Sequence, residues 1–152
     1  MSKTLSMVRG MFAFVFYDTE SDEGIAVRDH FGQKPLYYSN QNGSFTIASS
    51  SRPLRILGEL RGPNVSSYRT YLVTRGILTP GETFEKGLNI LPAGHILPFK
   101  NGVPGLAEKY FSPDDLIDAE QQIKYVEDFD SFDFSNTLEG YLKESIRRHL
   151  VS

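Results

Sequence analysis

The sequence predicts an α+β fold, a partial antiparallel β sandwich with flanking helices. Three observations carry that expectation. Short apolar runs bounded by turn residues occupy residues 10–48 and 91–102. A single helical pattern separates these two strand-rich regions. A second, amphipathic pattern closes the chain after an acidic stretch. Strands grouped together with helices set apart give α+β, whereas strict alternation would give a parallel sheet.

Each element follows in order. Gly10–Tyr17 (GMFAFVFY) is apolar and aromatic, and reads as a strand buried on both faces. The polar turn Asp18–Gly24 returns the chain into Ile25–Val27, making a hairpin. A loop marked by glycine and proline spans Phe31–Pro35. Leu36–Tyr38 and Ser44–Ala48 form a second strand pair around the Asn42-Gly43 turn signal. Asn64 can cap a helix running to Arg75, with Gly76 as its stop; Tyr68, Tyr71 and Leu72 share one side. Thr79–Gly81 is a loop. Leu91–Gly94 leads into a strand, His95–Phe99, closed by Asn101-Gly102. Pro113–Asp133 is acidic and weakly patterned, a linker. The last helix starts near Ser135 or Asn136, with Asn136 and Glu139 as a capping box. Leu138, Leu142, Ile146 and Leu150 repeat every four residues and give it one apolar stripe.

Composition narrows the function. A chain of 152 residues is long enough for one domain with a core. The net charge of -3 comes without a basic cluster, which argues against nucleic acid. No apolar run approaches the ~20 residues of a membrane span, and the N-terminus has no signal-peptide core, so a cytoplasmic location is expected. There is no cysteine, hence no disulfide, no thiolate metal site and no cysteine nucleophile.

The clearest motif is Arg28-Asp-His-Phe-Gly-Gln-Lys-Pro-Leu-Tyr-Tyr38. One reading is a structural loop: Arg28 and Asp29 form an internal ion pair, Gly32 supplies positive φ, and Pro35 sets up the next strand. The other places Arg28 or Asp29 at a substrate or a domain interface, with Lys34 nearby. His30, His95 and His149 show no metal-ligand spacing, and His95 reads as a turn residue. Glu127, Asp128, Asp130 and Asp133 lack the glycine and terminal glutamate of a calcium loop.

RDHFGQKPLYY resembles the RDxxGxxPLYY signature of the class II glutamine amidotransferase domain of glutamine-hydrolysing asparagine synthetases. Arg9–Phe14 (RGMFAF), Phe84–His95 (FEKGLNILPAGH), Glu108–Phe111 (EKYF) and Glu144–Ser152 (ESIRRHLVS) are similar to further segments of that family, in the same order. The shorter elements also occur in amidophosphoribosyltransferases; the PAGH segment and the last helix favour the synthetases. One departure is Ser50, which stands where the family often has a glutamate.

The resemblance implies an N-terminal-nucleophile-hydrolase-like fold. It also implies a protein that makes asparagine from aspartate, glutamine and ATP with magnesium. The family's nucleophile is an N-terminal cysteine whose α-amine is the base. Neither that cysteine nor an SGGxDS loop is present. The expected organisation is therefore residues 1–112 as the second half of the glutaminase domain, 113–134 as linker and 135–152 as the first synthetase helix. On this reading the chain is inactive alone and binds no cofactor. No catalytic, cofactor or metal residue is assigned to it; Arg28, Asp29, Gly32 and Pro35 are its motif residues and candidate interface. Ser2 has no strand pattern that would make it a substitute nucleophile. Phe12, Phe14 and Phe16 are expected to lack part of their cover, giving marginal stability or self-association. The alternative is a non-catalytic binding or regulatory module, paired with itself or with a chain that supplies the missing strands.

Overall fold

A computed structural model describes residues 2–117 and 134–150, apart from residues 6, 42, 59, 77 and 78. The chain divides into two compact units, residues 1–112 and 113–152.

The first unit contains two antiparallel sheets and three short helices. Helix α1 (Ser2–Leu5) precedes β1 (Ala13–Asp18) and β2 (Glu23–Arg28). Strands β3 (Tyr37–Gln41) and β4 (Ser44–Ala48) follow, then helices α2 (Ser51–Ile56) and α3 (Val65–Thr74). Strands β5 (Asn89–Ile90), β6 (His95–Lys100), β7 (Val103–Pro104) and β8 (Glu108–Lys109) complete the unit. One sheet has the order β1-β2-β6-β7, with β8 also on β6; the other is β4-β3-β5.

The registers follow from the turns. Asp18 opposite Glu23 closes the first hairpin and Gln41 opposite Ser44 the second. Gly43 takes φ 75° in that second turn, and Asn101-Gly102 take φ 50° and 70° between β6 and β7, the left-handed pair a two-residue hairpin needs.

Alternation in β2 then sorts its residues. Ala26 faces a core of Leu36, Leu91 and Leu97, against which Tyr38, Phe45 and Ile47 of the second sheet pack. Val27 faces the opposite core with Leu5 and Ile96, edged by Phe12, Ile25 and Tyr110. Strand β2 is thus buried on both faces, and each fully buried side chain such as Val27 or Leu97 contributes about 1.5–3 kcal/mol.

Several sequence expectations need correction. The strand buried on both faces is β2, not β1. Phe14, Val15, Phe16 and Tyr17 are 38–61% exposed; among the described residues β1 pairs with β2 alone. Of the three phenylalanines, Phe12 is half-buried and Phe14 and Phe16 are exposed. Asn64 does cap α3, accepting from Ser67 N–H at 3.4 Å. The left-handed stop, however, is Arg75 (φ 62°) rather than Gly76. Tyr68 and Tyr71 flank Phe84 as their shared side suggests, while Leu72 points to solvent. Helices α1 and α2 and the short strands β5, β7 and β8 had no strong sequence signal. Ser2 opens a helix, not a strand.

The second unit has a 3₁₀ turn, Pro113–Leu116, and helix α4, Phe134–His149. Asn136 and Glu139 lie inside α4, so they form no capping box; Glu139 instead pairs with Lys143 one turn on. Leu138, Leu142, Ile146 and Leu150 are exposed. The acidic residues Glu127, Asp128, Asp130 and Asp133 lie outside the described residues, as does most of the expected linker. No described helix is long and apolar enough to cross a membrane.

Candidate functional site at the Arg28–Asp29 loop

The motif loop leaves β2 at Arg28 and enters β3 at Tyr37. Between them the backbone must turn without a ladder to satisfy its polar groups. Asp29 meets that need from its side chain. Its carboxylate, 1% exposed by residue, accepts from Phe31 N–H at 3.1 Å, Gln33 N–H at 2.9 Å and Lys34 N–H at 2.9 Å. Burial pushes this carboxyl up, but the N–H groups of Lys34, Gln33, Phe31 and Phe12 together outweigh burial and hold it below the ordinary range.

Arg28 satisfies the carbonyls of the same loop. Its Nε donates to Lys34 O at 2.8 Å, Nη2 to Gly32 O at 2.6 Å, and Nη1 to Leu91 O at 2.7 Å. Burial draws the guanidinium below its usual value, with Asp29 and Tyr37 acting the other way. The expected Arg28–Asp29 ion pair is not formed: each charge is spent on backbone groups of the loop. A planar fork reaching three carbonyls is a task for arginine, not lysine.

Gly32 is required twice over. Its φ is 64°, and a Cβ there would lie 3.0 Å from the Arg28 guanidinium and 3.1 Å from Ala93 Cβ. Pro35 and Lys34 are exposed.

The loop is also where distant segments meet. The backbone of Asp29 donates to Phe12 O at 2.9 Å and its carbonyl accepts from Gly94 N–H at 2.9 Å. Gly94 O in turn accepts from Tyr110 and Phe111 N–H. Tyr110 OH donates to Arg28 O at 2.9 Å and is pushed up to about 12, by burial first and then by Asp29. The His30 ring sits edge-on among Phe12, Tyr110 and Phe111, with centroids 5.9, 5.4 and 4.6 Å away. His95 stays at its turn, Nδ1 2.7 Å from Ala93 O.

The loop holds Arg28, Asp29 and Gly32 together, and Phe12, His30, Leu91, Gly94, Tyr110 and Phe111 converge on it. These came from motif segments visible in the sequence; their convergence was not visible there. Both charged groups of the loop, the Arg28 guanidinium and the Asp29 carboxylate, are taken up by backbone groups. Among the described residues no group of three histidines or carboxylates could hold a metal, and no glycine-rich cradle could hold ATP. Nor is the cleft of about 630 Å³ at the far end of the first sheet, lined by Phe16, Ile25, Pro98 and Phe99, part of this loop.

A family model described as a glutamine amidotransferase domain matches residues 2–111. A Mycobacterium tuberculosis protein named "Putative asparagine synthetase (glutamine-hydrolyzing)" is 34% identical over 97 residues, 61% of this chain and 15% of the relative. Asparagine synthetase B (glutamine-hydrolyzing) of Escherichia coli is 41% identical over 51 residues, 33% of this chain and 9% of the relative. Amidase chyE of Penicillium rubens is 31% identical over 93 residues, 61% of this chain and 13% of the relative. The chain therefore spans under a sixth of the length of these curated relatives.

Proposed function

Given that the chain belongs to the glutamine amidotransferase domain family, we propose that it is the scaffold part of the glutamine-hydrolysing half of an asparagine synthetase-type enzyme. One observation carries this reading. Four segments that resemble the family, at Phe12, Arg28–Lys34, Leu91–Gly94 and Tyr110–Phe111, are tied together through Arg28 and Asp29. In this role Arg28 and Asp29 hold the loop between the two sheets and touch no substrate. The finer fold is the N-terminal-nucleophile type, with the two antiparallel sheets as its layers.

Glutamine hydrolysis in this family needs a thiolate, and this chain has no cysteine. The chain alone is accordingly inactive. The resemblance implies that ATP, magnesium and the carboxylate acceptor are bound by parts of such an enzyme other than this stretch. Incubating the purified chain with glutamine, aspartate and MgATP tests this reading. The expected result is no glutamate and no asparagine above buffer. Asparagine formation dependent on the chain would overturn it.

A further inference from the structure

We propose that residues 108–111 act as a strap: this segment, by which the chain leaves the first unit, holds the motif loop in place and passes its own displacement on to Arg28 and Asp29. The strap works through contacts within the first unit and does not depend on the enzymatic reading above.

Its hold on the sheet is small. Strand β8 has two residues, which meet β6 as Glu108 opposite Ile96 and Lys109 opposite His95. Its hold on the loop is larger. Tyr110 OH donates to Arg28 O at 2.9 Å, and the rings of Tyr110 and Phe111 pack edge-on with His30. Phe111 also meets Phe31, with ring centroids 5.7 Å apart. Ser112 follows, buried, and the chain then enters the second unit.

Gly94 joins strap and loop through its two peptide groups. Its N–H donates to Asp29 O at 2.9 Å, and its carbonyl accepts from Tyr110 N–H at 2.8 Å and Phe111 N–H at 3.2 Å. Hydrogen bonds in such a series polarise one another, so loosening one weakens the next. The approach is close: a Cβ at residue 94 would lie 2.5 Å from Phe111 O, a place the strap can occupy because the residue there is glycine.

Strap and loop therefore share one set of bonds and open as one unit. A coupling between two sites acts equally in both directions. What frees the strap frees the loop, and what frees the loop frees the strap. Tyr110 is a positioning residue in this device: it acts on the loop through Arg28 O and the His30 ring.

The test is amide hydrogen exchange on the full chain. The N–H groups of Phe31, Gln33 and Lys34 report on the loop and those of Tyr110 and Phe111 on the strap. Those of Arg61 and Asn64, bonded to Lys86 O and Phe84 O, are the reference. Tyr110→Phe removes the hydroxyl alone and should speed exchange at the loop roughly 3–10-fold relative to the reference. Asp29→Asn, at a carboxylate bonded to Phe31, Gln33 and Lys34 N–H, should speed exchange at Tyr110 and Phe111 relative to the same reference. The chain has no cysteine of its own, so a disulfide between His95→Cys and Lys109→Cys, opposed across β6 and β8, can pin the strap. Compared with its reduced form it should slow exchange at the loop more than at the reference. Loop amides that merely follow the reference in Tyr110→Phe or in the disulfide form, or strap amides that merely follow it in Asp29→Asn, would overturn the proposal.

Discussion

Arg28 and Asp29 are neighbours of opposite charge, yet each is committed to peptide groups, those of the loop they begin and, for Arg28, Leu91 O as well. Two predictions follow from that commitment. Arg28→Lys keeps the charge but cannot reach three carbonyls in one plane; it should destabilise the fold by about 2–4 kcal/mol, read by urea unfolding. Asp29→Asn replaces one carboxylate oxygen by an NH2: with the amide oxygen kept by Phe31 and Gln33 N–H, the new donor faces Lys34 N–H, and the change should cost about 1–3 kcal/mol. The sign of its pH dependence is fixed. A carboxyl held below its unfolded value near 3.9 contributes fully above that pH. Wild-type stability should therefore fall as pH drops below about 4, and the Asn variant should lose the part due to this group. Ser39 offers the opposite case. Its hydroxyl is fully buried in β3 without a partner. Ser39→Ala should leave stability unchanged or raise it by up to about 1 kcal/mol, as a shift in the urea midpoint. None of these three effects can be read from the residues alone, because each depends on what the loop or strand brings within 3 Å.

At the scale of elements, local chemistry was legible and tertiary context was not. The Asn-Gly turns, the Asn64 cap and the helix over residues 65–74 are short-range events, and the sequence displays their residues in full. The helix at residues 134–149 was legible from its four-residue repeat, and its start at Phe134 lies one residue from the expected Ser135. Asn136 lies inside it, where a capping pattern misled. Burial was misassigned between β1 and β2 because both are apolar; the sheet order decides which has neighbours on both sides. The short strands β5, β7 and β8 exist through their pairing with β3 and β6 and have little pattern of their own. Gly94 belongs to this class. It looks like one more turn glycine, but its Cβ would fall 2.5 Å from Phe111 O at φ 65°. Gly94→Ala should destabilise by about 2–4 kcal/mol, from strain and collision together. Gly43→Ala, at φ 75° with open space around it, should cost only about 1–2 kcal/mol. Comparing the two thermal midpoints separates close approach from backbone strain.

At the scale of the molecule, the first unit is held by two small cores on either side of β2 and by one polar knot at the end of that strand. The knot gives the motif a physical meaning. It joins Phe12, Leu91, Gly94, Tyr110 and Phe111, parts of the chain up to about a hundred residues apart, without a disulfide. Sequence showed these segments in order; only the fold shows that they share one loop. What the unit lacks is chemical: no thiol stands anywhere in the chain. On the function proposed above, this unit is the scaffold of a glutamine amidotransferase domain. The most direct measurement is glutamate release by a chimera. In it, the part of the Mycobacterium tuberculosis relative that precedes its matched stretch, with the N-terminal cysteine expected of the family, is fused ahead of Val8. A folded chimera should hydrolyse glutamine, and Cys→Ala at its first residue should abolish the reaction. A folded chimera that releases no glutamate would contradict the account.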